Sequence, residues 1–292
     1  MFAGIYTAIV TPFKNGKVDE PALERLIRTQ MRSGVDGIVP VGTTGESPTL
    51  SFEEHIYLIE MAVKIVSGRI NVLAGTGGNS TDEAIYLTVA AERAGANGSL
   101  QVAPYYNKPT QEGLFQHFRA IAYATRLPIV LYNIPGRCGV EIGVDTVQRL
   151  ARQCKTIVGI KEASGSADRV SQLRAALGPK FTILSGDDSL TLPFMAVGAH
   201  GVISVASNII PRELSRMVRA YAAGKPSLAL KLHEKYYPLF KDLFIESNPV
   251  PIKAALAMLG LIEEEYRLPL VPMNPKNRQT LKATLRTCGV LP

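Results

Sequence analysis

Tryptophan is absent from the 292-residue chain, cysteine occurs three times and histidine four. The missing tryptophan excludes nothing. The cysteines (Cys138, Cys154, Cys288) are odd in number and far apart, with no CxxC pair. That spacing argues against a disulfide framework and reads as free thiols in a reducing compartment. The histidines (His55, His117, His200, His233) form no HExxH or similar cluster, so no metal site is expected. No hydrophobic run is long enough to span a bilayer. The N-terminal MFAGIYTAIVTPF is apolar but short, lacks a basic n-region and runs into a strand pattern, so a cytoplasmic enzyme without a signal peptide is expected. No basic run interleaved with aromatics marks a nucleic-acid face. Arg278, Lys282 and Arg286 at i, i+4, i+8 read as the solvated side of a terminal helix. No G-x-G-x-x-G opens a helix, which argues against a dinucleotide-binding open sheet. Gly75–Ser80 (GTGGNS) fails that spacing and lacks the P-loop Lys-Ser/Thr.

What is present is an ordinary enzyme composition, 46% hydrophobic and 20% charged, with a net charge of +7 that mildly favours acidic ligands. Short, near-continuously apolar runs begin at Gly4, Gly37, Ile70, Ser99, Pro128, Thr156, Phe181 and Gly201. They suit parallel strands buried on both faces. Amphipathic stretches with start signals lie between them: Asp19-Glu20-Pro21, the capping box Ser51-Phe52-Glu53-Glu54, Thr81-Asp82-Glu83 and Thr110-Gln111-Glu112-Gly113. Later helices are predicted near Val144, Ala167, Ser189 and Pro211. Eight strands, each followed by a helix, predict an α/β (β/α)8 TIM barrel over residues 1–224, with a doubly wound sheet as the alternative. Residues 225–292 lose the strand pattern and predict a C-terminal helical extension, with helices at 227–244, 249–259 and 277–287.

Active-site groups of such a barrel sit at the C-terminal ends of its strands. There the sequence places GTTGES (42–47), Tyr105-Tyr106-Asn107, YNIPGR (132–137), Lys161-Glu162, SGDD (185–188) and residues 204–208. Lys161 ends the apolar strand IVGIKEAS. Strict alternation puts Ile157, Gly159 and Lys161 on one face, Val158 and Ile160 on the other. A lone lysine at a strand end commonly extends its ammonium into water; desolvated, it can instead act as a Schiff-base nucleophile. An iminium is its own electron sink and turns a 2-keto acid into an enamine. It then needs a proton shuttle, for which Tyr132 and Thr44 carry hydroxyls. Thr43, Thr44 and backbone N–H groups can hold the keto acid's carboxylate, and Arg137 can grip a second one.

GTTGES, YYNKPTQEG, YNIPGR, GIKEASG, LSGDD and GVISVASN occur in an order and spacing that resembles the dihydrodipicolinate synthase family, pyruvate-dependent class I aldolase-type barrels of the N-acetylneuraminate lyase superfamily. The likeness runs from Gly4 to Leu291. The lysine and YNxP are superfamily-wide; the paired threonines and Arg137 are more specific to the synthases. The resemblance implies a lyase without a resident cofactor, in which Lys161 forms an iminium with pyruvate. It implies that Tyr132, Thr44 and Tyr106 relay protons, with Tyr106 reaching into a neighbouring subunit. Thr43, Gly186 and Ile203 would line the pyruvate pocket, and Arg137 would bind L-aspartate 4-semialdehyde, leading into diaminopimelate and lysine synthesis. It further implies a homotetramer built as a dimer of dimers, and feedback by L-lysine held by Ser47, His55, Asn79, Glu83 and Tyr105. Phe52 departs from the histidine of some lysine-responsive members, and His55 can also be read as a helix-surface histidine. A sugar-acid aldolase and a pyruvate-binding barrel without turnover are the competing readings.

Overall fold

The computed structural model describes residues 2–292. Strand β1 (Gly4–Ala8) leads through a small hairpin, β2 (Phe13–Lys14) and β3 (Lys17–Val18), to α1 (Glu20–Arg32). There follow β4 (Gly37–Val39), α2 (Phe52–Val66), β5 (Asn71–Gly75), α3 (Thr81–Ala94), β6 (Gly98–Val102) and α4 (Gln111–Ala124). Next come β7 (Ile129–Asn133), the one-turn α5 (Pro135–Cys138), α6 (Val144–Gln153), β8 (Ile157–Glu162) and α7 (Ala167–Leu177). The barrel ends with β9 (Thr182–Ser185), α8 (Thr191–Ala196), β10 (Gly201–Ser204) and α9 (Pro211–Ala222). All strands except the hairpin pair in parallel, and β10 closes onto β1. The predicted (β/α)8 barrel is therefore the fold, and the doubly wound sheet is not.

Local chemistry explains why the helices start where they do. Asp19 accepts from the Ala22 N–H at the head of α1, and Ser51 and Glu54 form a reciprocal capping box on α2. Ser80 and Thr110 cap α3 and α4 through their hydroxyls. Helix α3 opens at Thr81 as predicted, with the extended Ser80 as its cap. The hairpin and α5 were not predicted, because two-residue strands and a single turn leave no periodic trace.

Side chains fill the barrel. Tyr6, Val39, Leu73, Leu100, Val130 and Leu184 form an interior cluster whose top includes Tyr132 and Ile203. Phe2 plugs the bottom, edge-on to Tyr6, and Gly37 is required there, since a Cβ would lie 2.3 Å from the Tyr6 ring. One expectation is corrected at β8. Its pairing with β7 slips by a residue between Ile129 and Val130. Ile157 packs outside with Ile160, while Val158 faces the interior cluster. The bulge resets the alternation, so Lys161 shares its face with Val158 across an extra residue rather than with Ile157.

Beyond α9 lie α10 (Pro226–Asp242), α11 (Val250–Met258) and α12 (Pro275–Thr287). Their apolar faces, including Leu239, Phe240, Ile252, Leu256, Leu281 and Leu285, belong to the same cluster as Ile5, Ile9, Leu214 and Met217 of the barrel.

Candidate active site

A cavity of about 260 Å³ opens at the C-terminal end of the barrel, lined by Thr43, Thr44, Tyr132, Arg137, Lys161 and Gly186, among others. Lys161 rises into it from β8 with only 6% of its surface exposed. Its Nζ lies 4.1 Å from the centre of the Tyr132 ring. Desolvation pulls its pKa from 10.5 down to about 7; the Asp188 carboxylate opposes the shift, and Arg137 adds to it. The register of β7 with β8 places Tyr132 directly beside Lys161. Burial raises the Tyr132 phenol pKa well above its ordinary value, while Arg137 and a hydrogen bond with Thr43 work against the rise. The phenol is therefore neutral at physiological pH. Gly186 has a steric role: an added Cβ would sit 3.0 Å from Lys161 Cε and 2.7 Å from Ala163 Cβ.

The two threonines have different partners. Thr43 lies near enough to the Tyr132 phenol to temper its pKa, whereas the buried Thr44 hydroxyl accepts from Asn248 Nδ2 at 3.0 Å. Arg137, on α5, donates from Nη2 to the Asn248 carbonyl at 3.0 Å. Asn248 thus ties Thr44 to Arg137 from the segment between α10 and α11, and its own Oδ1 is buried without a partner. No periodic pattern near Asn248 pointed to the barrel mouth. Asp188, which the sequence places at the end of its strand, gains its role only from burial in the fold. Buried at 1% exposure, it accepts at Oδ2 from the N–H groups of Val205 (3.0 Å) and Ala206 (2.9 Å). Burial lifts its pKa to about 6 despite those bonds.

One mouth residue of the sequence reading lies elsewhere. Glu162 points away from the cavity. It accepts from Asn133 Nδ2 (2.9 and 3.1 Å), from Ser164 N (2.8 Å) and from Arg169 Nε (2.8 Å). Asn133 and Arg169 also hold the N–H and carbonyl of Ile142, bracing the loop that carries Arg137. Ile203 belongs to the same interior cluster as Tyr132, which reaches the cavity. Strand alternation explains Glu162, which follows the inward Lys161 and must face out.

Tyr106 is 91% exposed with φ at 73°, and it is not part of the cavity of its own chain; Tyr105 is. The residues matched to effector binding cluster around the loops after β4, β5 and β6. Asn79 Nδ2 donates to the Tyr105 carbonyl (3.2 Å), and Glu83 lies close enough to the Tyr105 phenol to raise its pKa in addition to burial. Ser47 lines the cavity. His55 is not a helix-surface residue: it is 3% exposed and donates from Nε2 to the Gly75 carbonyl at 2.7 Å, and burial lowers its pKa.

Among the described residues no group of acidic, histidine and cysteine side chains is arranged to hold a metal ion, and the three cysteines are free and buried. A buried amine with a lowered pKa, a phenol beside it and a cation at the rim make carbonyl chemistry on an anionic substrate the best use of this geometry.

Known proteins share both the sequence and the shape. The model of the dihydrodipicolinate synthetase (DHDPS) family matches residues 1–288. The 4-hydroxy-tetrahydrodipicolinate synthase of Aquifex aeolicus is 53% identical over 286 residues, covering 98% of this chain and 97% of that protein. The solved 4-hydroxy-tetrahydrodipicolinate synthase of Methylacidiphilum fumariolicum SolV superposes with a TM-score of 0.98 at 61% identity, over 99% and 96% of the two chains. The crystal structure of the DHDPS from Cyanidioschyzon merolae with lysine bound gives a TM-score of 0.97 at 44% identity, over 99% of each chain. With the lysine-bearing barrel and full-length likeness agreeing, this chain belongs to the dihydrodipicolinate synthetase family.

Proposed function

We propose that this enzyme acts as a 4-hydroxy-tetrahydrodipicolinate synthase, a lyase of lysine and diaminopimelate synthesis, with Lys161 as its nucleophile. The observation that carries the assignment of Lys161 is its buried amine, brought to a pKa of about 7 against the Tyr132 ring. Lys161 Nζ attacks C2 of pyruvate and water leaves, giving an iminium. Loss of a C3 proton gives the enamine, whose C3 adds to the aldehyde carbon of L-aspartate 4-semialdehyde; the aldehyde oxygen takes up a proton. The semialdehyde's amine then attacks C2 and displaces Lys161, closing the ring and freeing the amine. The iminium supplies the electron sink, so the reaction calls for no resident cofactor.

The proton transfers fall to Tyr132, which burial keeps protonated, together with the Thr44 hydroxyl. Backbone N–H groups of the 42–45 turn and Thr43 hold the pyruvate carboxylate, and Gly186 leaves room for the adduct. Ile203 acts from below by packing the barrel top. Arg137, fixed by Asn248, receives the semialdehyde carboxylate. We further propose that Tyr106 completes the relay of a neighbouring subunit in a homotetramer; its full exposure supports a role outside its own chain. L-lysine is proposed to bind among Ser47, Asn79, Glu83 and Tyr105, with His55 supporting the site from behind, as its bond to Gly75 suggests. No helix among the described residues is long and apolar enough to cross a membrane. The free thiols support a cytoplasmic setting.

Borohydride reduction in the presence of pyruvate tests the mechanism. A reduced pyruvate adduct is expected on Lys161 by peptide mapping, and Lys161→Ala is expected to abolish it. An unchanged protein mass in the parent enzyme would remove the whole scheme.

A further inference from the structure

Glu46 and Lys253 form an ion pair with both side chains fully out of water. Glu46 ends the turn Thr43–Gly45: its N–H donates to the Thr43 carbonyl at 3.1 Å, and its φ of 55° lies in the left-handed region that non-glycine residues rarely occupy. Its second carboxylate oxygen accepts from the backbone N–H of Arg267 at 3.2 Å. Lys253 comes from α11, and its ammonium lies 4.3 Å from the Phe13 ring centre and 5.3 Å from that of Tyr266. The Arg267 guanidinium covers the same Phe13 ring and holds both carboxylate oxygens of Glu54 at 2.6 Å. Five residues before Lys253, Asn248 bonds Thr44.

A fully buried ion pair is a weak source of stability, since desolvation consumes most of its Coulomb energy, whereas it fixes geometry well. Here the geometry fixed is that of the turn holding Thr43 and Thr44. We propose that Glu46 and Lys253 are positioning residues for the condensation: the pair locks the threonine turn against the C-terminal extension so that Thr43 and Thr44 stay on the wall of the cavity that holds Lys161. The inference rests on the assignment of Lys161 as nucleophile and touches no reacting atom itself.

Glu46→Gln, Lys253→Met and the double variant test it, with Glu46→Asp as a milder change that keeps the charge and shortens the reach. Steady-state kinetics are read below each variant's melting temperature, beside pyruvate trapping. The two single variants are expected to retain trapping on Lys161 while kcat falls on the order of 10–100-fold, the penalty of a displaced catalytic group. Glu46→Asp is expected to fall between them and the parent. The double variant leaves no unpaired buried charge, so it is expected to fold even where the singles do not, and to show the same loss of kcat. A lowered melting temperature with kcat within about twofold of the parent, in the double variant or in either folded single variant, overturns the proposal and makes the pair purely structural. Failure of the parent to trap pyruvate overturns the assignment of Lys161 instead, and this inference with it.

Discussion

A lysine with a pKa near 7 is half neutral at neutral pH, where an exposed lysine is almost wholly charged. The sign follows from burial: removing water penalises the ammonium, and the nearest acid, Asp188, is itself pushed up to about 6 and offsets only part of that penalty. The neutral, nucleophilic fraction therefore grows as pH rises through about 7. The rate of pyruvate adduct formation is expected to increase about fivefold between pH 6 and pH 7 and to flatten by pH 8. Stopped-flow or quenched trapping checks this, and a tenfold rise per unit persisting past pH 8 would mean an unshifted amine. Arg137 is proposed to act on the other substrate. Arg137→Ala is expected to leave pyruvate trapping intact and to lower kcat/KM for the semialdehyde on the order of a hundredfold, consistent with losing a charge-assisted pair worth about 2–3 kcal/mol. A larger effect on pyruvate than on the semialdehyde would reverse its assignment.

Strands and loops decide what those residues can reach. The bulge in β8 turns Val158 inward, and the strand approaches β9 closely at Gly159, where a Cβ would meet Thr182 Cβ at 2.7 Å and its carbonyl at 2.8 Å. Gly159→Ala is accordingly expected to lower stability by about 1–3 kcal/mol, read as a fall in urea midpoint. An unchanged midpoint would show that β8 and β9 can separate freely. Strand existence and the helix caps were legible because periodicity and capping chemistry are local. The bulge was not, since it depends on pairing with β7. The outward turn of Glu162 follows from the alternation beside an inward Lys161, yet its partners Asn133 and Arg169 lie 29 and 7 residues away and meet only in the fold.

The apolar cluster is shared between the barrel and α10 to α12. We propose that residues 225–292 form an extension that completes the enzyme and is no independent unit. It contributes Asn248 to the site and Lys253 beneath it. Deleting residues 225–292 is expected to give an insoluble or inactive barrel, monitored by circular dichroism, sedimentation and turnover. A soluble fragment with parental kcat would place the boundary where the strand pattern ends and make the extension dispensable. Lysine titrated against turnover is expected to inhibit, given the Asn79, Glu83 and Tyr105 cluster. An unaltered rate at high millimolar lysine would remove that site.

By itself the sequence determined the barrel, the helical extension, the lysine on its sixth barrel strand and the company of Tyr132, Thr43, Thr44 and Arg137. Those features rest on periodicity, caps and strand-end positions, which are properties of neighbouring residues. Only the tertiary structure decided that Lys161 is dry, that Thr44 pairs with Asn248, and that Glu46 meets Lys253. Burial and long-range hydrogen bonds arise when segments some 200 residues apart close on one another, as Thr44 and Asn248 do across 204 positions. No local pattern records them.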